Sequence, residues 1–304
     1  MEFPFWAKSL PPPIDMFNIL KHQELQSTTD KFGNSVLERK YPEDYISCDH
    51  ISNHFTEYAR ILCKFGNNPT PSEVWALLKK EKDIKNMSPL QQREAIYNTT
   101  RECNTFNVSY CLWIITTLVG KHSKILDPSS GWGDRLIASL ASEADEYHGF
   151  DPNKQLQKGY NKIIKVLHTS KGKSTKDKIS VKPIPFEDSV LPTNYYDIAL
   201  TSPTYFNLET YGSDPNQSII KHSTYEQWLN FYKLYINKMI SAVKPNGYIV
   251  IYIEDVTSNG IRYNMREFTI KTVNESKLAK NHRRLGLKVG HTIRYALVWQ
   301  KISN

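Results

Sequence analysis

Ile125-Leu126-Asp127-Pro128-Ser129-Ser130-Gly131-Trp132-Gly133-Asp134-Arg135-Leu136 decides the fold class. A short apolar run enters a Gly-x-Gly turn that opens a helix, which is the strand–turn–helix order of a nucleotide-binding unit. Tyr147-His148-Gly149-Phe150-Asp151 follows as a second strand, and its terminal carboxylate stands twenty positions after Gly131. At that spacing an acidic side chain can accept hydrogen bonds from ribose hydroxyls. Glycine lets the backbone come close to a ligand, so Gly131 and Gly133 are candidates for that approach.

About seventy residues after the glycine turn, the apolar run Tyr195–Leu200 closes on Thr201-Ser202-Pro203-Thr204-Tyr205-Phe206. A small polar residue, a proline and an aromatic at the carboxyl end of a parallel strand can grip a planar base that carries an exocyclic amine. The amine is a poor nucleophile because its lone pair is conjugated with the ring. Ser202 through its side chain and Pro203 through its carbonyl could hold the amine hydrogens and turn the lone pair outward, while Tyr205 stacks on the base. Positioning against a fixed methyl donor would then supply most of the acceleration. The target base must leave a duplex to reach such a pocket, unless it is already single-stranded.

Together these strings resemble a class I S-adenosylmethionine-dependent methyltransferase of the DNA adenine-N6 or cytosine-N4 amino type, over residues 101–255. The four-residue signature of that family, (Asp/Asn/Ser)-Pro-Pro-(Tyr/Phe/Trp), reads here Ser202-Pro203-Thr204-Tyr205, with Thr204 in place of the second proline. Serine at the first signature position leans toward cytosine by the same resemblance. Asn104-Thr105-Phe106-Asn107 is similar to the segment that closes over the methionine end of the cofactor. The missing third glycine of G-x-G-x-x-G also favours S-adenosyl-L-methionine over a dinucleotide. Asp127, Gly131 and Gly133 are then expected near the methionine end and Asp151 at the ribose. The resemblance implies Asp188 at the adenine amine, Phe186-Glu187-Asp188 following the third strand.

The fold expected is α/β, a Rossmann-like, doubly wound and mostly parallel sheet with an N-terminal helical region. Strands are expected at Lys124–Asp127, Glu146–Phe150, Ile179–Ile184, Tyr196–Leu200, Tyr248–Ile253 and Tyr295–Lys301, the last antiparallel by resemblance. Helices are expected at Asp134–Ala141, Lys154–His168 and Thr224–Val243. Upstream, Pro11-Pro12-Pro13 argues for an extended arm over residues 1–40. Residues 41–100 read as a small helical domain, with helix starts at Thr70-Pro71-Ser72-Glu73 and Ser88-Pro89-Leu90. The segment from 257 to 290 is poorly apolar and reads as a basic insertion in the 101–304 domain.

The chain has 304 residues and a net charge of +8, which favours an anionic partner. Nucleic acid is the expected partner, DNA over RNA, with room left for a protein partner or a homodimer. Lys280, Arg283 and Arg284 are the candidate phosphate contacts. The lysines at Lys162, Lys165, Lys171, Lys173, Lys176 and Lys178 read instead as a solvated helix face and loop. Phe206 to Ser213 is a candidate loop beside the pocket, in which Glu209 and Tyr211 either read the target base or cap the loop. Four cysteines without C-x-x-C spacing indicate neither a zinc site nor a disulfide framework. With no apolar run long enough to span a membrane and no basic start of a signal peptide, the expectation is an intracellular protein, cytoplasmic or nuclear and not secreted. A methyltransferase-like subunit without turnover, and an enzyme of the same fold acting on RNA or on a protein amide, remain open alternatives.

Overall fold

A parallel strand covered on both faces must divide its side chains between two cores. Ile125, Tyr147, Ile198, Leu200 and Val298 pack to one side, and Leu126, Phe150, Ala199, Leu297 and Trp299 pack to the other. The computed structural model describes residues 1–38, 48–168, 178–212, 214–258 and 260–303. Helices Val108–Leu118, Asp134–Ala141 and Gln157–Leu167 supply the first core. Helices Tyr225–Ala242 and Met265–Ser276 supply the second. The result is a Rossmann-like α/β fold with a doubly wound, mostly parallel sheet.

The main strand order is Ile179–Lys182, Glu146–Phe150, Lys124–Asp127, Tyr196–Thr201, Val243–Ile251, Thr292–Lys301 and Leu285–Val289. The first five are mutually parallel. Thr292–Lys301 runs antiparallel to Val243–Ile251, as the resemblance implies for the last strand. Order reverses at Lys124–Asp127, whose neighbours are the second strand on one side and the fourth on the other. A reversal of this kind opens a crevice beyond the carboxyl ends of the strands, the usual ligand position in such sheets.

Two segments differ from the sequence reading. The proline-rich stretch does not leave the first forty residues extended: Pro13–His22 is a helix with Pro13 in its first turn, where an absent N–H costs nothing. Its Met16, Phe17 and Leu20 are buried in the first core. After it, Ser27–Thr29 and Ser35–Leu37 form a hairpin, and Ser35–Leu37 extends the sheet by pairing in parallel with Leu285–Val289. The 257–290 segment is likewise not an excursion from the fold, since it contains the helix Met265–Ser276 and the sheet strand Leu285–Val289. Its apolar content is low because that helix buries mainly Met265, Thr269, Thr272 and Val273, two of them polar.

Between these parts, helices Asn53–Arg60, Pro71–Leu78, Lys82–Lys85 and Pro89–Thr99 surround a small core of Ile61, Val74, Trp75, Ile84 and Ile96 with Phe3. Thr70 with Glu73 and Ser88 with Gln91 form reciprocal capping boxes at the two expected helix starts, each cap worth about 1 kcal/mol. Buried Glu57 accepts from Arg93 Nη1 at 2.6 Å and from the backbone N–H groups of Trp6 and Ala7 at 3.0 and 3.2 Å, tying the N-terminus to these helices. Among the described residues no helix is long and apolar enough to cross a membrane. The lysines at 171, 173 and 176 and Ser213 lie outside the described residues.

Candidate active site

A cavity of about 810 Å³ lies across the carboxyl edge of the parallel strands. Its lining comes from the segments that follow those strands: Ser129 and Gly131, Asp151 to Asn153, Pro185 to Glu187, Ser202 to Tyr205, and Tyr252 with Glu254 and Asp255. The antiparallel last strand contributes its opposite end, Thr292 to Arg294, as its direction requires. The volume falls within the range of roughly 300–1,000 Å³ for small-molecule sites.

The glycine turn is shaped by its own φ values, +56° at Gly131 and +88° at Gly133, both in the left-handed region that side chains disfavour. Gly131 lines the cavity. Gly133 does not; it begins the helix Asp134–Ala141, and a Cβ there would stand 2.6 Å from Ile163 Cδ1. Its requirement is close helix packing. Asp127 also stays out of the cavity. Its fully buried carboxylate accepts from Arg135 Nε at 2.9 Å, from the Tyr147 hydroxyl at 2.6 Å and from Ser129 N at 3.3 Å. Arg135 donates as well to the Ser129 carbonyl. Asp127 therefore braces the turn from behind.

Asp151 accepts from the backbone of Gly131 through one oxygen and of Asn153 through the other, each at 2.9 Å. Burial pushes its carboxyl up to about 6, against the pull of these two amides. With the two amides and the Tyr160 hydroxyl as partners, the carboxylate keeps acceptor capacity for a further donor. After the third strand, it is Glu187 that lines the cavity, held 3.0 Å from Lys221. Asp188 points away, exposed, with its carboxylate 3.5 Å from the same lysine. Lys238 fixes this turn by donating to the carbonyls of Phe186, Glu187 and Ser189 at 2.9, 2.8 and 2.5 Å.

The fourth strand delivers Ser202, Pro203, Thr204 and Tyr205 to the same cavity. The buried Tyr235 hydroxyl joins the two loops, hydrogen bonded to Ser129 Oγ at 2.8 Å and to Thr201 Oγ1 at 3.1 Å. The Tyr205 hydroxyl accepts from the Glu254 N–H at 3.1 Å, which fixes the far end of its ring. Thr204 accepts from Ser218 Oγ at 2.8 Å, so the residue that departs from the signature has a partner of its own. Glu254 pairs in turn with Arg266 at 3.1 Å. Phe206 turns away from the cavity into a cluster with Tyr225, Trp228 and Tyr263, its ring 5.0 to 6.3 Å from theirs, and anchors the loop.

Two segments meet over the site. Glu209 Oε1 accepts from Asn104 N at 2.9 Å and Asn104 Nδ2 at 3.2 Å, and its other oxygen accepts from the Tyr211 hydroxyl. Trp132 Nε1 donates to the Asn104 carbonyl at 2.9 Å and its ring meets Tyr211 edge-on at 5.8 Å. Glu209 and Tyr211, engaged with each other and with Asn104 and Trp132, both line the cavity. Thr105, Phe106 and Asn107 all line the cavity. Phe106 N donates to Asp134 Oδ2 at 3.1 Å; Asn107 caps Val108–Leu118 and donates to Asp49 Oδ2 at 2.7 Å. Burial pushes Asp134 up to about 6.

Lys280, Arg283 and Arg284 do not line the cavity. Lys280 pairs with Gln300, at the far end of the strand whose near end carries Arg294 into the cavity. Six residues of strand separate those levels, roughly 20 Å. Conversely, Asp49, Asp134, Glu187, Arg101, Arg266 and Arg294 do line it and were not singled out by sequence. Asp134, inside the glycine motif, and Glu187, beside Asp188 after the third strand, were within reach of motif reading; the others reach the cavity only through the tertiary fold.

No family model matches the chain, and no curated protein does. Among solved structures it is similar to a putative S-adenosylmethionine-dependent methyltransferase from Listeria monocytogenes, with 9% identity, coverage of 64% of this chain and 99% of the other, and a TM-score of 0.41. It is similar also to a SAM-dependent O-methyltransferase from Thermotoga maritima, with 14% identity, 69% and 70% coverage and a TM-score of 0.41. A tRNA (m1A58) methyltransferase from Aquifex aeolicus aligns at 13% identity over 67% and 72% of the two chains, with a TM-score of 0.40. The fold assignment rests on this chain's own strand order and directions.

Proposed function

We propose that the protein transfers a methyl group from S-adenosyl-L-methionine to an exocyclic amino group of a nucleic-acid base, adenine N6 or cytosine N4, with DNA favoured over RNA. The observation that carries this reading is that Ser202, Pro203 and Tyr205 line one cavity with Gly131 and Asp151. The residues present suit the cofactor. Asp151 has acceptor capacity left for ribose hydroxyls, and Phe186 with Glu187 offers an apolar ring and an acceptor for an aminopurine. Asp49 and Asp134 line the cavity beside Thr105 to Asn107 and favour an ammonium group there.

Bound in that place, the cofactor would supply an electrophilic sulfonium methyl. Ser202 Oγ and the Pro203 carbonyl would accept the two amine hydrogens and direct the nitrogen lone pair. Tyr205, its hydroxyl already engaged by Glu254 N, would present its ring to the base. The clasp of Asn104, Glu209, Tyr211 and Trp132 would keep water from the transfer. Thr204, hydrogen bonded to Ser218, keeps the turn anchored without the second proline, which favours turnover over an inactive subunit.

The test is incubation with isotopically labelled S-adenosylmethionine and DNA and RNA polymers, followed by digestion and identification of the methylated nucleoside. Label in N6-methyladenosine or N4-methylcytidine, deoxy or ribo, supports the reading. Cofactor binding with label in no nucleoside overturns it.

A further inference from the structure

The hairpin between Ser27–Thr29 and Ser35–Leu37 ends in a tip, Asp30 to Asn34, that the core does not need. Asp30 organises it: its carboxylate accepts from Phe32 N at 2.8 Å, Asn34 N at 2.9 Å and Asn34 Nδ2 at 3.0 Å. The Tyr295 hydroxyl donates to Asp30 at 2.6 Å and so pins the tip to the last strand of the sheet. Thus held, Phe32 projects with 75% of its surface exposed, and Lys31 Nζ lies 5.1 Å from the centre of its ring. An aromatic ring held out by a braced turn is costly to hydrate and is available for stacking.

Next to this tip runs Lys280 to Arg284, joined to it by a contact from Arg284 N to Asn34 Oδ1 at 3.4 Å. Lys31, Lys280, Arg283 and Arg284 are all exposed. None of the four stands within ion-pair distance of a carboxylate among the described residues, whereas Lys288 on the following strand is paired with Glu38. Unpaired cations beside an exposed aromatic make the combination that grips a single strand, charge on the backbone and a ring face for a base. This place is displaced from the cavity along the last strand. Arg284 adjoins Leu285, which pairs with Ala296, and Lys280 pairs with Gln300, so the patch begins two to six residues beyond Arg294, roughly 7–20 Å.

We propose that the hairpin tip and the Lys280–Arg284 segment form an anchoring surface for a single-stranded stretch of the same polynucleotide whose target base enters the cavity. The proposal rests on the nucleic-acid reading above and places the expected phosphate contacts Lys280, Arg283 and Arg284 on the strand beyond the target base. The anchor therefore lies a short stretch of strand away from the target base, about 7–20 Å along the last strand of the sheet. Oligonucleotides too short to cover that gap bind without it.

The experiment measures affinity of the full-length chain for single-stranded DNA and RNA dinucleotides and for oligonucleotides of about sixteen nucleotides, over a range of salt. The quadruple variant Lys31→Ala, Phe32→Ala, Arg283→Ala, Arg284→Ala is compared with wild type, and Phe32→Ala is taken alone. The quadruple variant is expected to weaken long oligonucleotides by about a hundredfold, with the log–log salt slope lowered by roughly two units at about 0.7 per contact. Phe32→Ala is expected to weaken single strands by about tenfold, as loss of one stacked base would, and to leave duplex binding alone. Short oligonucleotides and S-adenosylmethionine should bind unchanged. Unchanged long-oligonucleotide affinity in the quadruple variant overturns the anchor and leaves the proposed reaction standing; equal weakening at both lengths also overturns it. Wild type that binds no oligonucleotide but methylates another acceptor overturns the nucleic-acid reading itself, and retention on anionic vesicles alone reassigns the patch to a membrane surface.

Discussion

At the Asp151 end of the cavity polar groups are held by the backbone, whereas at the Tyr205 end side chains hold mostly one another. Asp151 is fixed by the amides of Gly131 and Asn153, and Lys238 gathers three carbonyls of the next turn. Across the site, Glu209 is held by Asn104 and Tyr211, Glu254 by Arg266, and Thr204 by Ser218. A carboxylate tied to two amides cannot move without leaving buried donors unpaired, at about 1–3 kcal/mol each. Contacts between partly exposed side chains exchange for water at far smaller cost. One end is therefore preformed and suited to one invariant ligand, and the other can adjust to an acceptor that arrives in different contexts.

The sharpest break of that contrast is Ser202→Ala. If its hydroxyl holds the amine only in the reacting arrangement, kcat should fall about a hundredfold or more, the scale for losing one such polar contact. Cofactor affinity should hold within about twofold by calorimetry. A variant of wild-type rate would remove Ser202 from the reacting centre.

Asp151→Ala should weaken S-adenosylmethionine by about ten- to a hundredfold, the value of a charge-assisted hydrogen bond. It should also lower stability, because the Gly131 and Asn153 amides lose their acceptor. Asp151→Asn keeps one of the two acceptors, so chemical denaturation should place it between Asp151→Ala and wild type, while calorimetry still shows weakened binding.

The pH dependence of cofactor affinity tests the same carboxylate more gently. The ligand-free carboxyl is pushed up to about 6 by burial, and ribose donors favour the ionised form. Affinity should therefore be full near neutrality and fall as pH drops through about 6, by roughly tenfold at one pH unit below it. Asp134 is also held at about 6, so the control is Asp151→Asn, in which the Asp151 share of the fall should vanish. A slope unchanged in that variant would assign the proton to Asp134.

Thr204→Pro should have the smallest effect. Viewed from the signature alone, proline would preserve or raise transfer by stiffening the turn. The Ser218 contact adds an opposing loss of about 1 kcal/mol. Initial rates within about fivefold of wild type are expected, and the adaptable character of this end would be contradicted by abolition of transfer in a folded variant.

The parts legible in the sequence are those where local chemistry and global fold agree. Lys124–Asp127, Glu146–Phe150 and Asp134–Ala141 have the boundaries expected, since apolar runs punctuated by glycine leave little freedom. Ser202, Pro203 and Tyr205 stand in the cavity with Thr105, Phe106, Asn107, Gly131 and Asp151. The illegible parts fall where one local signal supports two structures. Pro13 stops an existing helix but starts a new one equally well, and here it starts one. Neighbouring acids such as Glu187 and Asp188 differ only in where the chain turns them, which Lys238 decides from a helix fifty residues away. Arg266 and Arg294 enter the cavity from a crossover helix and an antiparallel strand with no motif around them.

Tyr235 sets a dimension. Its single hydroxyl spans Ser129 on the first loop and Thr201 at the root of the fourth, and it rises from a helix on the face of the sheet away from the glycine-turn helix. The gap between the first loop and the fourth is thus gauged by a third party, and neither loop can drift alone. A change of acceptor during evolution would have to be absorbed at the rim, by the clasp and the charged side chains around it, while the bore of the site stayed constant.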